Sequence, residues 1–136
     1  MGKQLALRRL LLDTHALFWW FSEMENLPSA AADAIGDSEA EIHVSSVSAY
    51  EISFKNGRGK LNVPPRLLHD FSDVIAAQGF RQLALTVQHA LDAGMLDFAH
   101  RDPFDRMLIA QALAENLELV SNERLFDQTG VKRIWA

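Results

Sequence analysis

The chain of 136 residues contains no cysteine, which excludes disulfides, thiolate metal sites and cysteine nucleophiles. This absence fits a reducing compartment, and we expect a cytoplasmic protein. No apolar run approaches the roughly 20 residues that span a bilayer. Residues 1–5 carry no signal-peptide core, so no membrane partner is expected. The net charge of -5 argues against a protein that coats nucleic acid through a basic surface.

Several catalytic motifs are also missing from the sequence. The five histidines form no HxxxH or HxxEH pair, so a zinc hydrolase is not expected. The stretch Gly57-Arg58-Gly59-Lys60 lacks both the spacing of a P-loop and the apolar strand that precedes one. A GxSxG elbow is absent, which argues against a serine hydrolase.

The order of apolar segments predicts the fold class. Short apolar runs alternate with amphipathic helical stretches, a pattern typical of a parallel sheet covered by helices. The predicted strands are 8–12, 41–45, 81–85, 118–120 and 132–134. The predicted helices are 14–23, 30–35, 47–56, 66–78, 87–94 and 103–115, with a helical turn at 122–126. Because no repeat, low-complexity tract or linker interrupts this order, residues 1–136 are predicted to form a single α/β domain.

Four acidic residues occupy positions that such a fold would bring together. Asp13 ends the first predicted strand, Glu123 follows the fourth, Asp105 opens a helix, and Glu51 lies in the helix after the second strand. Ligands bind at the carboxyl ends of parallel strands. Carboxylates gathered there repel one another unless a cation lies among them, and oxygen ligands suit Mg²⁺ or Mn²⁺. The four acids therefore predict a metal-binding catalytic site.

Each of these acids also has a purely structural explanation. Asp13 and Asp105 suit the N-termini of helices, and the helix dipole favours Glu123 in a first turn. Glu51 can pair with Lys55 one turn later on a solvated face. Only the joint pattern favours a metal site over these explanations.

Two other segments suggest binding surfaces. Residues 52–69 contain no Asp or Glu but four basic residues, Lys55, Arg58, Lys60 and Arg66, which fit either phosphate-binding groups or a solvated basic turn. Residues 17–21 form an apolar run too wide for one helical face. We therefore expect part of this run to lie outside the core and to form a protein interface.

The motifs around these acids resemble those of PIN-domain ribonucleases, specifically the VapC-like toxins of bacterial toxin–antitoxin modules. The matching stretches are Leu11-Leu12-Asp13-Thr14-His15, Ser48-Ala49-Tyr50-Glu51-Ile52, the segment 100–112, Leu119-Val120-Ser121-Asn122-Glu123 and the closing segment 130–135. They extend from the first predicted strand to the last, and together they are specific.

The resemblance implies a three-layer α/β/α sandwich around a parallel sheet of four or five strands. It implies a metal-dependent endoribonuclease in which Asp13, Glu51 and Asp105 hold Mg²⁺ or Mn²⁺. The fourth acidic position of the family is often Asp, and here it is Glu123. This longer side chain favours a water-mediated role, and Asp102 or Asp127 could contribute instead.

The resemblance also implies partners and leaves alternatives. The expected partners are an RNA substrate, a cognate antitoxin protein and a second copy of the chain in a homodimer. Lys55, Arg58 and Lys60 are the predicted contacts to the RNA backbone. One alternative is a catalytically silent PIN fold that acts as a binding module. Another is a receiver-like phosphoryl-transfer domain, although the first predicted strand lacks the acid pair that such a site needs.

Overall fold

The computed structural model describes residues 7–136, and within them five parallel strands form a single sheet. The strands are β1 (Arg9–Leu12), β2 (Glu41–Ser45), β3 (Arg81–Leu83), β4 (Glu118–Val120) and β5 (Arg133–Ile134). Their order across the sheet is β3-β2-β1-β4-β5, so β1 lies at the centre. The predicted parallel α/β architecture is confirmed, with five strands. The prediction made for residues 1–5 lies outside the described residues.

Helices connect the strands and cover both faces of the sheet. They are α1 (Thr14–Ser22), α2 (Ser29–Gly36), α3 (Ser46–Gly57), α4 (Pro65–His69), α5 (Phe71–Ala77), α6 (Val87–Met95) and α7 (Pro103–Glu115). Two 3-10 helices, Met24–Asn26 and Arg124–Thr129, complete the described elements. The first of these was not predicted from the sequence.

The central strand explains the three layers. Successive side chains of a strand point to opposite faces of the sheet. Leu10 and Leu12 therefore pack into the core that α1, α2 and α5 cover, whereas Leu11 packs with α7 on the other face. All three leucines are fully buried. The predicted α/β/α sandwich is thereby confirmed.

The predicted helix over 66–78 is wrong in its continuity, because α4 and α5 are separate helices divided at Asp70. Asp70 has φ -127° and ψ 35°, outside the helical region. Leu67 of α4 and Val74 of α5 share a small cluster with Phe18, while Ile75 of α5 packs into the main core. The interruption thus comes from the backbone conformation of Asp70, and the apolar pattern continues across it.

Two predicted boundaries are also corrected. The third strand ends at Leu83 rather than at residue 85, because only His43–Ser45 of β2 pair with it. The predicted helical turn at 122–126 begins later, at Arg124, and extends to Thr129 as a 3-10 helix.

The strand register positions the functional edge of the sheet. Leu12 pairs with Val44 on one side and with Val120 on the other. The residues that follow, Asp13, Ser45 and Ser121, consequently lie at the same carboxyl edge of three adjacent strands. The Asp13 amide donates to the Val120 carbonyl at 3.1 Å, which fixes the end of β1 against β4.

Candidate metal centre and active site

Asp13 lies at the turn between β1 and α1 and is the N-cap of α1. Its Oδ1 accepts a hydrogen bond from the Ala16 amide at 2.8 Å, so the structural role anticipated for it is real. The residue is only 7% exposed. Burial raises the pKa of Asp13 from 3.8 to about 6, although the Ala16 amide, Ser121 and His15 favour its charged form. Nearby Asp105 raises this pKa further, which indicates that the two carboxyls lie close together.

Glu51 lies in the middle of α3 and is buried. Its residue exposure is 3%, so the alternative of a solvated Glu51–Lys55 pair is wrong about the environment. The pair itself exists, since Lys55 Nζ donates to Glu51 Oε2. Glu51 Oε1 is buried and has no hydrogen-bond partner. Because a buried unpaired carboxylate oxygen is costly, this atom marks a place where a cation or a donor belongs.

Asp105 lies in the first turn of α7, beside Asp102. Asp102 Oδ1 caps that helix by accepting hydrogen bonds from the amides of Phe104 and Asp105, at 2.9 and 3.4 Å. Burial raises the pKa of Asp105, and the charges of Asp102 and Glu51 add to this effect. A hydrogen bond from His100 opposes it. Asp105 therefore lies at the N-terminus of α7 and is close enough to Asp102 and Glu51 for their charges to raise its pKa.

The segment that precedes α7 is held by one arginine. The Arg106 guanidinium donates hydrogen bonds to the backbone carbonyls of Ala93, Gly94, Leu96, Phe98 and His100. The shortest of these bonds, to Phe98, measures 2.6 Å. Since all three guanidinium nitrogens bind carbonyls, Arg106 contributes a fixed backbone rather than a counter-ion for the carboxylates.

Glu123 lies after β4, at the start of the second 3-10 helix. Its Oε1 accepts a hydrogen bond from the Leu125 amide at 3.2 Å, and its own amide donates to Ser121 Oγ at 3.1 Å. The side chain is half-buried, and one oxygen is thus occupied in capping. This geometry agrees with a role at the edge of the site for Glu123.

One cavity collects these side chains. It has a volume of about 340 Å³. Its lining contains all four predicted acids and seven further residues: Asp13, Thr14, His15, Trp19, Glu51, Lys55, Asp102, Asp105, Asn122, Glu123 and Phe126. Hard oxygen donors around an unpaired carboxylate oxygen fit a divalent cation such as Mg²⁺ or Mn²⁺.

The other acid considered from the sequence, Asp127, lies outside this cavity. It forms an ion pair with Arg133 at 2.9 Å, and this pair lowers the pKa of Asp127. The suggestion that Asp127 replaces Glu123 therefore has no geometric support, whereas Asp102 does line the cavity.

The three predicted RNA contacts are placed differently from one another. Lys55 lines the cavity and pairs with Glu51. Arg58 lies over the ring of Phe54, 4.4 Å from its centroid, and both Arg58 and Lys60 are exposed outside the cavity. The structure thus brings Lys55 to the acids, and the RNA-binding role of all three stays a prediction.

The aromatic run of α1 is divided between core and surface. Leu17 and Phe18 are buried, whereas Trp19, Trp20 and Phe21 are half-buried. Trp19 lines the cavity and lies 5.8 Å from the ring of Trp135. The expectation that the run is too wide for one buried face is correct, and its role as an interface stays a prediction.

Sequence reasoning missed His15 and His100 near the site. His15 lines the cavity, and His100 Nε2 lies 2.8 Å from Asp105 Oδ2. Both histidines stand two to five residues from a predicted acid, in Asp13-Thr14-His15 and in the segment 100–105. A histidine within a few residues of a predicted acid, rather than of another histidine, is the sequence signal that would have identified them.

Within residues 7–136, the structure contains no helix of the length and apolarity that crossing a membrane requires.

Fold and cavity together define an α/β domain with a carboxylate cluster at the carboxyl edge of its parallel sheet. The family model described as the PIN domain matches residues 10–132. Since this match extends over most of the sequence, the chain belongs to the PIN domain family.

Individual proteins agree with this membership. The chain is 28% identical to Ribonuclease VapC22 of Mycobacterium tuberculosis (strain ATCC 25618 / H37Rv) over 116 residues. The aligned residues cover 85% of this chain and 87% of that protein. The structure of VapBC2 from Rickettsia felis bound to a DNA fragment from their promoter matches with a TM-score of 0.69 and 14% identity, over 94% of this chain and 99% of that one. FitAcB from Neisseria gonorrhoeae matches with a TM-score of 0.60 and 16% identity, over 92% and 96%. At such identities the two structures show a shared fold.

Proposed function

We propose that this protein is an endoribonuclease that depends on Mg²⁺ or Mn²⁺ and acts in the cytoplasm as the toxin of a toxin–antitoxin pair. The observation that carries the proposal is the buried and unpaired Oε1 of Glu51, a residue that lines the same cavity as Asp13 and Asp105. A folded domain keeps such an atom when a ligand completes it. In a PIN domain with this set of oxygen donors, that ligand is a divalent cation.

Asp13, Glu51 and Asp105 would hold the ion, with Glu123 and Asn122 at the edge of the site binding its water. A bound divalent ion activates water for attack on a phosphodiester and stabilises the leaving oxygen. The side chains provide the fixed geometry for this chemistry. Asp13 is fixed by capping α1, and Asp105 lies in a helical turn that Asp102 caps. Lys55 would release Glu51 and contact a phosphate when the ion neutralises that carboxylate.

The RNA would approach over the basic end of α3. Lys55, Arg58 and Lys60 lie within six residues of one another in a segment without acids. Phosphate contacts of this kind position a nucleic acid without reading its sequence. They also offset the repulsion between the RNA and a chain of net charge -5.

The toxin assignment is supported by the relatives. The chain shares 28% identity with a protein named Ribonuclease VapC22, over most of both chains. A structure described as a toxin–antitoxin complex from Klebsiella pneumoniae matches the fold with a TM-score of 0.58. We propose a cognate antitoxin that inserts a basic side chain among the carboxylates, in the way that Lys55 already pairs with Glu51. We also propose that the toxin is a homodimer.

A catalytically silent PIN module remains the second candidate. It is favoured by one observation, the use of Glu123 Oε1 as a helix cap in place of a free ligand. PIN family membership leaves the receiver-like alternative without support.

The test is cleavage of a mixed RNA panel by purified protein with Mg²⁺, with Mn²⁺ and with a chelator. Asp13→Asn should abolish cleavage while preserving the fold, because Asn keeps the cap but lacks the charge that holds a hard cation. Asp33→Asn, the same change at an exposed position in α2, is the matched control and should retain full activity. If Asp13→Asn cleaves at the parent rate, the metal assignment of Asp13 is wrong. Metal binding without cleavage of any RNA would favour the silent module.

A further inference from the structure

A histidine lies against Asp105, in the first turn of α7. His100 Nε2 is 2.8 Å from Asp105 Oδ2. One ligand atom from each of His100, Asp102 and Asp105 can be chosen so that all three lie within 4.8 Å of one another. We propose that these residues form a metal site with one imidazole ligand, which takes a transition-metal ion such as Mn²⁺ in preference to Mg²⁺. This inference deepens the proposed function and rests on it, because Asp105 belongs to both ligand sets.

The spacing fits the coordination sphere of such an ion. With bonds of about 2.1 Å, adjacent ligands of an octahedral ion lie about 3.0 Å apart and opposite ligands about 4.2 Å apart. The separation of 2.8 Å between His100 and Asp105 is close to the value for adjacent ligands. The ligand atoms of all three residues lie within 4.8 Å of one another. The longest of these separations has to shorten by only about half an ångström, which a rotation of the side chains provides.

The donors are available for an ion. Asp102 uses Oδ1 to cap α7, which leaves Oδ2 as its ligand atom. The side chains of His100 and Asp105 are each 27% exposed, so water has access to complete the coordination. Arg106, the nearest basic residue along α7, donates to backbone carbonyls and does not neutralise the two carboxylates.

His100 is fixed in a way that suits a ligand. Its carbonyl accepts a hydrogen bond from Arg106 at 3.0 Å. Its ring stacks on Phe98 with a centroid distance of 5.4 Å and meets the ring of Phe126 edge-on at 5.8 Å. A ligand held by its backbone and by two aromatic neighbours loses little freedom when it binds an ion.

An independent observation points to cations in this place. Glu51, whose Oε1 is buried and has no hydrogen-bond partner, lines the cavity that Asp102 and Asp105 also line. Lys55 pairs with its other oxygen, so one cationic side chain is shared among several carboxylates and the group attracts further positive charge. Imidazole nitrogen adds a preference for transition ions over Mg²⁺, because Mg²⁺ favours oxygen ligands and binds nitrogen poorly.

The experiment uses the purified full-length protein, Mn²⁺ and no RNA. Electron spin echo envelope modulation of bound Mn²⁺ reports nitrogen nuclei that are coordinated to the ion. We expect a nitrogen signal in the parent protein, its change when the histidines carry ¹⁵N, and its loss in His100→Gln. His15→Gln is the matched control, since His15 lines the same cavity, and it should keep the signal.

Affinities give a second readout. His100→Gln retains a hydrogen-bond donor for Asp105 but no imidazole, and it should weaken Mn²⁺ binding by about tenfold while changing Mg²⁺ binding much less. Equal losses for both ions would show that His100 merely orients Asp105, and would overturn the proposal.

The spectroscopic result separates this proposal from the proposed function. Bound Mn²⁺ without a nitrogen signal in the parent protein refutes the imidazole ligand and leaves the nuclease hypothesis intact. A nitrogen signal lost in His15→Gln but kept in His100→Gln also refutes it. Failure of the parent protein to bind Mn²⁺ would overturn this proposal, whereas the proposed function would be overturned only if the protein bound neither Mn²⁺ nor Mg²⁺.

Discussion

Replacement of Asp13 by Asn should stabilise the metal-free protein, although we expect the same change to abolish activity. Asp13 is 7% exposed, and its charge lies near that of Asp105. In the absence of an ion, the folded state holds this carboxylate in an environment that disfavours its ionisation. Asn has nearly the same shape and capping ability and carries no charge.

The magnitude follows from the pKa of Asp13. In the folded state this pKa is about 6, whereas in an unfolded chain it is about 3.9. A difference of about two units corresponds to roughly 3 kcal/mol in the free energy of unfolding. Because the pKa of Asp13 is raised in the folded state, the protonated carboxyl stabilises the parent protein below the pKa of the unfolded chain. The parent loses this stabilisation as the pH rises through about 6. The advantage of Asp13→Asn should therefore be small near pH ~4 and approach about 3 kcal/mol above pH ~7.

The assay is urea denaturation of the parent protein, Asp13→Asn and the exposed control Asp33→Asn, at several pH values with a chelator and again with Mg²⁺. Saturating Mg²⁺ should reverse the order of parent and Asp13→Asn, since an ion at about 1,000 times its dissociation constant stabilises the folded parent by about 4.1 kcal/mol. The reasoning is refuted if Asp13→Asn is no more stable than the parent at high pH without metal, or if its advantage does not depend on pH.

Three further predictions concern the same site and its surroundings. Millimolar Mg²⁺ or Mn²⁺ should raise the melting temperature of the parent, and Asp105→Asn should slightly raise the melting temperature of the metal-free protein. A melting temperature that neither the ions nor the substitution changes would contradict a metal site. Mg²⁺ affinity, measured by calorimetry, should fall as the pH decreases through about 6, because protonated Asp13 no longer holds the ion. An affinity that does not change between pH ~5 and ~8 would contradict this prediction. Trp19→Ala or Trp20→Ala should weaken self-association or antitoxin binding while Mg²⁺ binding survives. Light scattering and pull-down would show unchanged mass and affinity if the interface lies elsewhere.

The fold was predictable because its local signals agree with its packing. The three consecutive leucines of β1 are buried on both faces of the sheet, as a central parallel strand requires. Helix α7 begins at Pro103 after the Asp102 cap and ends before Asn116, whose φ of 56° is left-handed. The break between α4 and α5 at Asp70 was not predictable, because the apolar pattern continues across it.

The positions of the four acids were predictable from their joint pattern, but the burial and contacts of their side chains were not. Strand ends and helix starts locate Asp13, Asp105 and Glu123, and the structure places all three on one cavity. The burial of Glu51 depends on how α3 packs, and helical periodicity does not distinguish it from a solvated residue. The contact between His100 and Asp105 depends on a segment without regular structure, whose path no propensity encodes.

The Arg106 guanidinium has a consequence for the motion of that segment. Five carbonyls between Ala93 and His100, from the last turn of α6 to the segment beyond it, accept hydrogen bonds from this single side chain. Its loss would release them together, so the segment should open as one cooperative unit whose hydrogen exchange is uniform along its length. His100, whose carbonyl is one of the five, would then move away from Asp105 at the same moment.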